Sequence, residues 1–338
     1  MTTGDVEESR LALAEVELHG LLKHGEWYSA ISGVGDASIT GRALWQDESN
    51  PDQMDDRRLY WRRLALKRTM RAAGWTDEDL KAFEYASRGL QELEFDPDAD
   101  YRIVVTGFDP FHLDTDISQS NPSGVAALQL NGRMIELGDG LAEIKTIIVP
   151  VRFEDFDQGL IEDFFGPLLR QDKLDMIVTV SMGRDAFDLE RFPGRRRSVE
   201  TYDNRRRHGG GTAVSPFVPE SLPGPEFVEF SLPVSAIQSA VGQFAVNDNT
   251  GVATLEKGAF EAMDLEALRD QTAVLGSGGG FLSNEISYRL VRLVQEIGKS
   301  VPVGHIHTPK LKGYDVNLIR PITMQAVSMI EAAVKTLA

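Results

Sequence analysis

Three short segments of the chain carry side chains whose types suit acyl transfer. The first, residues 276–285, reads GSGGGFLSNE. A short strand, a glycine-rich turn and an amphipathic helix would place Ser283 near a helix N-terminus, where unpaired backbone N–H groups and the helix dipole favour negative charge. That position suits a nucleophile or an oxyanion, and glycines let a substrate come close to the backbone. The structural alternative is that Ser283 caps the helix. The second segment, GHIHTP at 304–309, puts His305 and His307 two apart on a predicted strand. Both then face one side, as ligands of one metal, as a catalytic base, or as hydrogen-bonded structural histidines. In the third, GRDAFDLER at 183–191, Glu190 follows a predicted strand. Open α/β sheets place their sites beyond such strand ends; a surface ion pair with Arg184 or Arg191 is the competing reading.

Together Ser283, His307 and Glu190 supply a nucleophile, a base and a group to orient the base. They lie in three separate turns, so only the fold can unite them. A different serine hydrolase is suggested by His208-Gly209-Gly210-Gly211, which mimics the oxyanion loop of some esterases. That architecture needs a Gly-x-Ser-x-Gly elbow, and no serine here has one.

The elements that must position these groups fall into two regions. Residues 1–98 read as a helical extension. Leu11, Leu13, Val16, Leu18, Leu21 and Leu22 suit one amphipathic helix, and Trp61, Leu64, Leu66 and Met70 a second. Thr76 opens a third helix with a capping box that uses Asp79. The stretch Ser32–Asp56 reads as loop, and residues 94–100 as a linker. From 99 to 338, β-rich runs alternate with helical ones, which predicts an α/β domain built on a mostly parallel sheet. Predicted strands are Arg102–Thr106, Ile144–Val151, Met176–Val180, Val301–Ile306 and a shorter Thr272–Leu275; predicted helices are Ser123–Leu130, Phe156–Leu169 and Asn284–Ile297.

Composition bounds the chemistry. At 338 residues the chain can bury a full core without staples. With 42% hydrophobic residues and no apolar run near the roughly 18–20 that a span needs, no membrane segment is expected. The acidic N-terminus lacks a signal-like pattern, so a cytoplasmic location is expected. A net charge of −17 opposes nonspecific nucleic-acid binding. The absence of cysteine excludes disulfides, thiolate metal sites and thiol catalysis.

Several motifs, in order, resemble the pyroglutamyl peptidase I (pyrrolidone-carboxylate peptidase) family. Thr106-Gly107-Phe108-Asp109-Pro110-Phe111 is similar to its opening TGFEPF, and Asn121-Pro122-Ser123 to its NPS. Gly183-Arg184 with Glu190-Arg191 resembles its GR and ER, and Asp203-Asn204 its DN. Leu232-Pro233-Val234 with Ile237 resembles its LP strand, Phe281-Leu282-Ser283-Asn284 with Tyr288 its FVCN and later Tyr, and Ile306-His307 with Pro309 its IHxP. The resemblance spans roughly residues 101–338. It implies a three-layer α/β/α fold, no cofactor or metal, a dimer or tetramer of identical chains, and a peptide or small acyl-amide substrate. It also implies that Ser283, His307 and Glu190 are catalytic, that Phe108 and Phe111 wall a flat ring, and that Asn121, Gly183 and Arg184 contribute to substrate binding.

The departures matter as much. Ser283 stands where the family has its cysteine, His112-Leu113 replace glycines, and the helical extension has no counterpart. So does the cluster Arg195, Arg196, Arg197, Arg205, Arg206 and Arg207, a loop able to bind an anion, meet the acidic N-terminal region, or simply be salt-bridged in solvent. A hydroxyl cannot rest as an anion the way a thiol can. Serine must pass its proton to a neutral His307 during attack. Two functional readings follow: a serine-dependent amide hydrolase, or a disabled relative, native or a Cys→Ser variant, that binds peptide or protein.

Overall fold

The structure is a computed structural model that describes residues 5–22, 35–91, 93–138 and 140–338. Among the described residues ten strands run in chain order: β1 Tyr101–Phe108, β2 Arg133–Glu136, β3 Leu141–Val149, β4 Met176–Met182, β5 Phe187–Glu190, β6 Val246–Asn249, β7 Gly251–Thr254, β8 Gly258–Glu261, β9 Ala273–Leu275 and β10 Val303–Thr308. Seven form one sheet in the order β2-β3-β1-β4-β10-β5-β6. The centre, β3-β1-β4-β10, is parallel, while β2 and β5 pair antiparallel with their inner neighbours. Central parallel strands are covered on both faces, so IVV and MIVTV read as continuous apolar runs rather than alternating ones. β7, β8 and β9 make a separate antiparallel sheet, which is where the short predicted strand near Thr272 belongs.

Helices α5 (Pro122–Leu130) and α10 (Val316–Val334) pack together as one outer layer, and α7 (Leu160–Arg170) and α9 (Leu282–Ile297) as the other. The fold is three-layer α/β/α with a mostly parallel sheet, preceded by helices, as expected. The predicted Phe156–Leu169 helix is split into α6 (Phe153–Asp157) and α7 by Gly159, whose φ of 83° no helix accommodates. The LP segment forms no strand: Pro233 caps a short helix, α8 (Val234–Gln238), after its ring removes an N–H that a ladder would need.

The N-terminal region holds α1 (Asp5–Glu17), α2 (Ala37–Glu48), α3 (Arg57–Ala72) and α4 (Asp77–Ala86). The capping box at Thr76 is present in full, with Thr76 and Asp79 each accepting the other's backbone N–H. The first helix is shorter than its leucines suggest. It stops at Glu17, leaving Leu18, Leu21 and Leu22 beyond it, and Leu13 and Val16 face solvent. The stretch Ser32–Asp56, expected as loop, contains α2, and its first residues, 32–34, lie outside the described ones. Gly41 misled that reading: a Cβ there would sit 2.6 Å from the Phe83 carbonyl, so the glycine lets α2 press against α4. Leu44, Trp45 and Phe83 share one apolar cluster with Ala127 and Leu128 of α5 and Ile148 of β3. The helices therefore share core with the layer above the sheet. Leu11, Tyr60, Trp61 and Leu64 form a second cluster with Leu113 and Ile117, from the loop after β1.

Candidate active site

Ser283 is the second residue of α9. Phe281 occupies the N-cap and no side chain caps the helix, so its first N–H groups remain unclaimed by a capping residue. Ser283 is thus not the helix cap. The turn before it is closed by reciprocal hydrogen bonds between Gly276 and Gly279, both 2.9 Å. A Cβ at Gly276 would lie 2.0 Å from Asn284 Oδ1. That close approach lets Asn284 bracket Gly194, accepting from its N–H at 2.9 Å and donating to its carbonyl at 2.6 Å. The turn before Ser283 is thereby tied to the segment that follows Glu190.

Glu190 and His307 meet directly. His307 on β10 pairs with Asp188 of antiparallel β5, so Glu190, two residues further on the same face, reaches it diagonally. The contact between His307 Nδ1 and Glu190 Oε1 is 2.5 Å, and the carboxylate is fully buried. Its other oxygen accepts from Asn249 Nδ2 at 2.7 Å, and Asn249 also donates to the Ser277 carbonyl at 3.0 Å. A carboxylate on Nδ1 favours the Nδ1–H tautomer, in which Nε2 is the nitrogen able to accept a proton. Gly183 stands behind the ring, where a Cβ would be 2.5 Å from that of His307. Arg184 is mostly exposed; it pairs with Asp188 and lies 3.4 Å from Glu190.

A cavity of about 30 Å³, room for about two waters, is lined by Phe108, Phe111, Asn121, Val151, Ser181, Met182, Phe281, Leu282 and Ser283. It gathers Ser283 with Phe108, Phe111 and Asn121, all singled out in the sequence, whereas Gly183, Arg184, Glu190 and His307 lie outside its lining. Phe111 and Phe281 are only half-buried, so they stand at its mouth. The Ser283 hydroxyl donates to the Gly278 carbonyl at 3.3 Å; among the described residues no hydrogen bond joins it to His307. Asn121 Nδ2 donates to the Asp109 carbonyl at 3.1 Å, and Asn204 donates to that of Pro110 at 2.9 Å, fixing the loop between the two phenylalanines.

Two participants carried little sequence signal. Ser181 lies at the end of β4, a strand end that open sheets favour for sites, but as a lone serine it was unremarkable. Asn249 acts across 59 residues of sequence. The arginine cluster proves fully engaged. Arg195 and Arg196 pair with Glu226, Arg197 with Glu285 and Asp157, Arg206 with Asp114, and Arg205 with Glu154 and with Glu7 of α1, while Arg207 is 3.5 Å from Glu154. The loop meets the acidic N-terminal region and is salt-bridged internally. Among the described residues, no helix is long and apolar enough to cross a membrane, and no group of three or more His, Asp or Glu is placed to hold a metal ion.

Sheet, helical layers and site define an α/β protein whose candidate chemistry sits at the C-terminal ends of β1, β4 and β10. A family model described as the C-terminal domain of PA0049 matches residues 102–206 and 265–312, stretches that include Phe108, Phe111, Asn121, Gly183, Arg184, Glu190, Ser283 and His307. The Pseudomonas aeruginosa protein PA0049 is 27% identical over 81% of this chain and 69% of its own length. Among solved structures, pyrrolidone carboxyl peptidase from the hyperthermophile Pyrococcus furiosus is 19% identical, with a TM-score of 0.48 over 70% of this chain and all of that one. A point mutant of the same peptidase gives 19% and 0.47 over the same shares.

Proposed function

We propose that the protein is an amide hydrolase of the pyroglutamyl peptidase type, releasing a pyroglutamyl or similar small cyclic acyl group through Ser283, His307 and Glu190. The observation that carries this reading is the buried Glu190–His307 pair, set on strands beside a small aromatic pocket that holds Ser283. The ordered motifs of the sequence support it, and the apolar faces of Phe108 and Phe111 in the pocket lining suit a flat ring.

In the reaction, Ser283 turns from the Gly278 carbonyl and attacks the scissile carbonyl while its proton passes to His307 Nε2. Glu190 holds the resulting imidazolium through Nδ1. The tetrahedral oxyanion meets the uncapped N–H groups at the start of α9, where the dipole adds to their hydrogen bonds. The C–N bond then breaks, and the leaving amine takes the proton from Nε2. Water, deprotonated by the same nitrogen, attacks the acyl ester and restores Ser283.

The second reading is a peptide-binding relative without turnover. Its support is the Ser283 hydroxyl resting on Gly278 rather than His307. Initial rates of fluorophore release from a pyroglutamyl amide separate the two, with Ser283→Ala and Ser283→Cys alongside. Activity in the parent that falls at least about a thousandfold in Ser283→Ala is the expected result. A silent parent with an active Ser283→Cys would instead establish a disabled nucleophile in an intact pocket, and silence in all three would sink the hydrolase reading.

A further inference from the structure

The catalytic scheme leaves one buried imidazole unused. His305 is fully buried on β10, and its ring lies 4.7 Å from that of His307, nearly perpendicular to it. Both of its nitrogens are engaged: Nδ1 lies 2.7 Å from Thr179 Oγ1, and Nε2 lies 2.8 Å from Ser181 Oγ. A metal would have to displace a hydroxyl from one of them, so the His305–His307 pair does not act as a joint ligand set here.

The proton positions follow from counting donors. Thr179 Oγ1 also lies 3.0 Å from the Gly304 carbonyl, which can only accept. Thr179 has one hydroxyl proton. If it goes to Gly304, the Thr179 oxygen must accept from Nδ1–H of His305, and Nε2 is left bare to accept the Ser181 hydroxyl. This assignment gives each of the three hydroxyl and imidazole protons an acceptor in the protein; the reverse one leaves Ser181 Oγ–H without a partner among the described residues. Burial, aided by the neighbouring His307, holds the His305 imidazole well below its ordinary pKa, so it stays neutral at physiological pH.

Ser181 lines the same pocket as Ser283, Phe108 and Phe111. Its one proton is committed inward to His305, so what it offers the cavity is oxygen lone pairs. It is not a second nucleophile of any strength. Taking its proton would charge a fully buried histidine whose far nitrogen meets a threonine hydroxyl, not a carboxylate. We infer that Ser181, held as an acceptor by His305 and Thr179, is a specificity-determining residue that selects acyl rings carrying an N–H donor, as a lactam does, over isosteric rings without one.

The inference rests on the acyl-pocket reading above. An acyl ring that lacks the donor leaves a desolvated oxygen unpaired, which corresponds to a preference of about ten- to hundredfold. The experiment compares two ligands, the pyroglutamyl amide and its carbocyclic analogue with CH2 in place of the ring N–H. It measures kcat/KM in the parent and Kd in Ser283→Ala. The parent is expected to favour the lactam by about ten- to hundredfold, and Ser181→Ala to treat the two within about threefold. Thr179→Val frees Nδ1, lets His305 carry its proton on Nε2, and turns Ser181 into a donor. It is expected to lose the same preference with Ser181 still in place, a result that a packing role for Ser181 does not give. Binding of both ligands with no preference in the parent, or a preference that survives Ser181→Ala, overturns the inference and leaves the pocket reading standing. No binding of either ligand overturns the pocket reading itself, and the inference with it. An imidazole 15N spectrum checks the relay without any substrate: a proton on Nδ1 of His305 is expected, and one on Nε2 overturns it.

Discussion

The pocket has two walls, and they are held in different ways. The Ser283 wall is fixed mainly by backbone closeness and neutral hydrogen bonds, the Gly276–Gly279 turn, Asn284 on Gly194 and the pairing of β5 with β10, with one buried ion pair, Arg197–Glu285, behind it. The Phe108–Asn121 wall is clasped by charged and buried polar side chains from the N-terminal helices. Asp109 lies between Arg63 of α3 at 2.6 Å and Arg88, after α4, at 2.7 Å; Arg57 donates to the Ser118 carbonyl, and Asp56 accepts from Ser120 and from the Asn121 N–H. Arg10 of α1 pairs with Asp114, and Leu113 is buried among Leu11, Tyr60 and Trp61. Leu113, which departs from the resembled motif, and the added helices are therefore one structural feature. The difference predicts that damage to the first wall shows in rate and damage to the second in stability.

Glu190→Gln tests the rate side and carries the largest expected effect. The amide keeps the shape but loses the charge that holds His307 in its tautomer and supports the imidazolium. Turnover of the pyroglutamyl amide should fall by about 10³- to 10⁴-fold, with the thermal unfolding midpoint nearly unchanged. A loss under tenfold would remove His307 and Glu190 from the mechanism. Asp109→Ala tests the other side. It leaves the buried guanidinium groups of Arg63 and Arg88 to share Glu84 alone, which is 3.9 Å from Arg63. Removing one partner from such a buried cluster costs about 3–5 kcal/mol, read as a lower urea midpoint. If the midpoint held and only the rate fell, the two walls would not differ in the way described.

What was legible in the sequence was local. β-branched runs announced β1, β4 and β10, and Ser283 could be placed at a helix start because strand, glycine turn and helix are contiguous. Thr76 and Asp79 were readable for the same reason, being three residues apart. The clasp was not readable: Arg63 reaches Asp109 across 46 residues and Asp56 reaches Ser120 across 64, and nothing in a single sequence marks which arginine meets which carboxylate. Ser181 and His305, 124 apart, failed on the same ground, although His305 was noticed. α2 was missed because its helical face is short and Gly41 and Ser38 read as loop, while the tertiary contact with α4 overrides that propensity.

The finest division between the walls concerns the protonation of Asp56. Burial pushes its carboxyl up to about 8, and the charge of Asp55 adds to that, against hydrogen bonds from Ser120 and Asn121 and the pull of Arg57. The native state then binds a proton that the unfolded chain releases near 3.8. Between those values the folded form holds more protons, so this group's contribution to stability is fully present below about 3.8 and is lost as pH rises to about 8. Asn is a neutral mimic of that protonated acid: its carbonyl accepts from the Asn121 N–H as the carboxyl does, and its amide faces Ser120. Asp56→Asn should therefore change the urea midpoint little near pH 3.8, where the unfolded carboxyl is only beginning to gain from ionising, and raise it relative to the parent at pH 9. The midpoint of the parent should fall more steeply with rising pH than that of the variant. A variant less stable than the parent at both pH values would mean that Asp56 is ionised in the fold, and that the Phe108–Asn121 wall is held by charge at Asp56 as it is at Asp109.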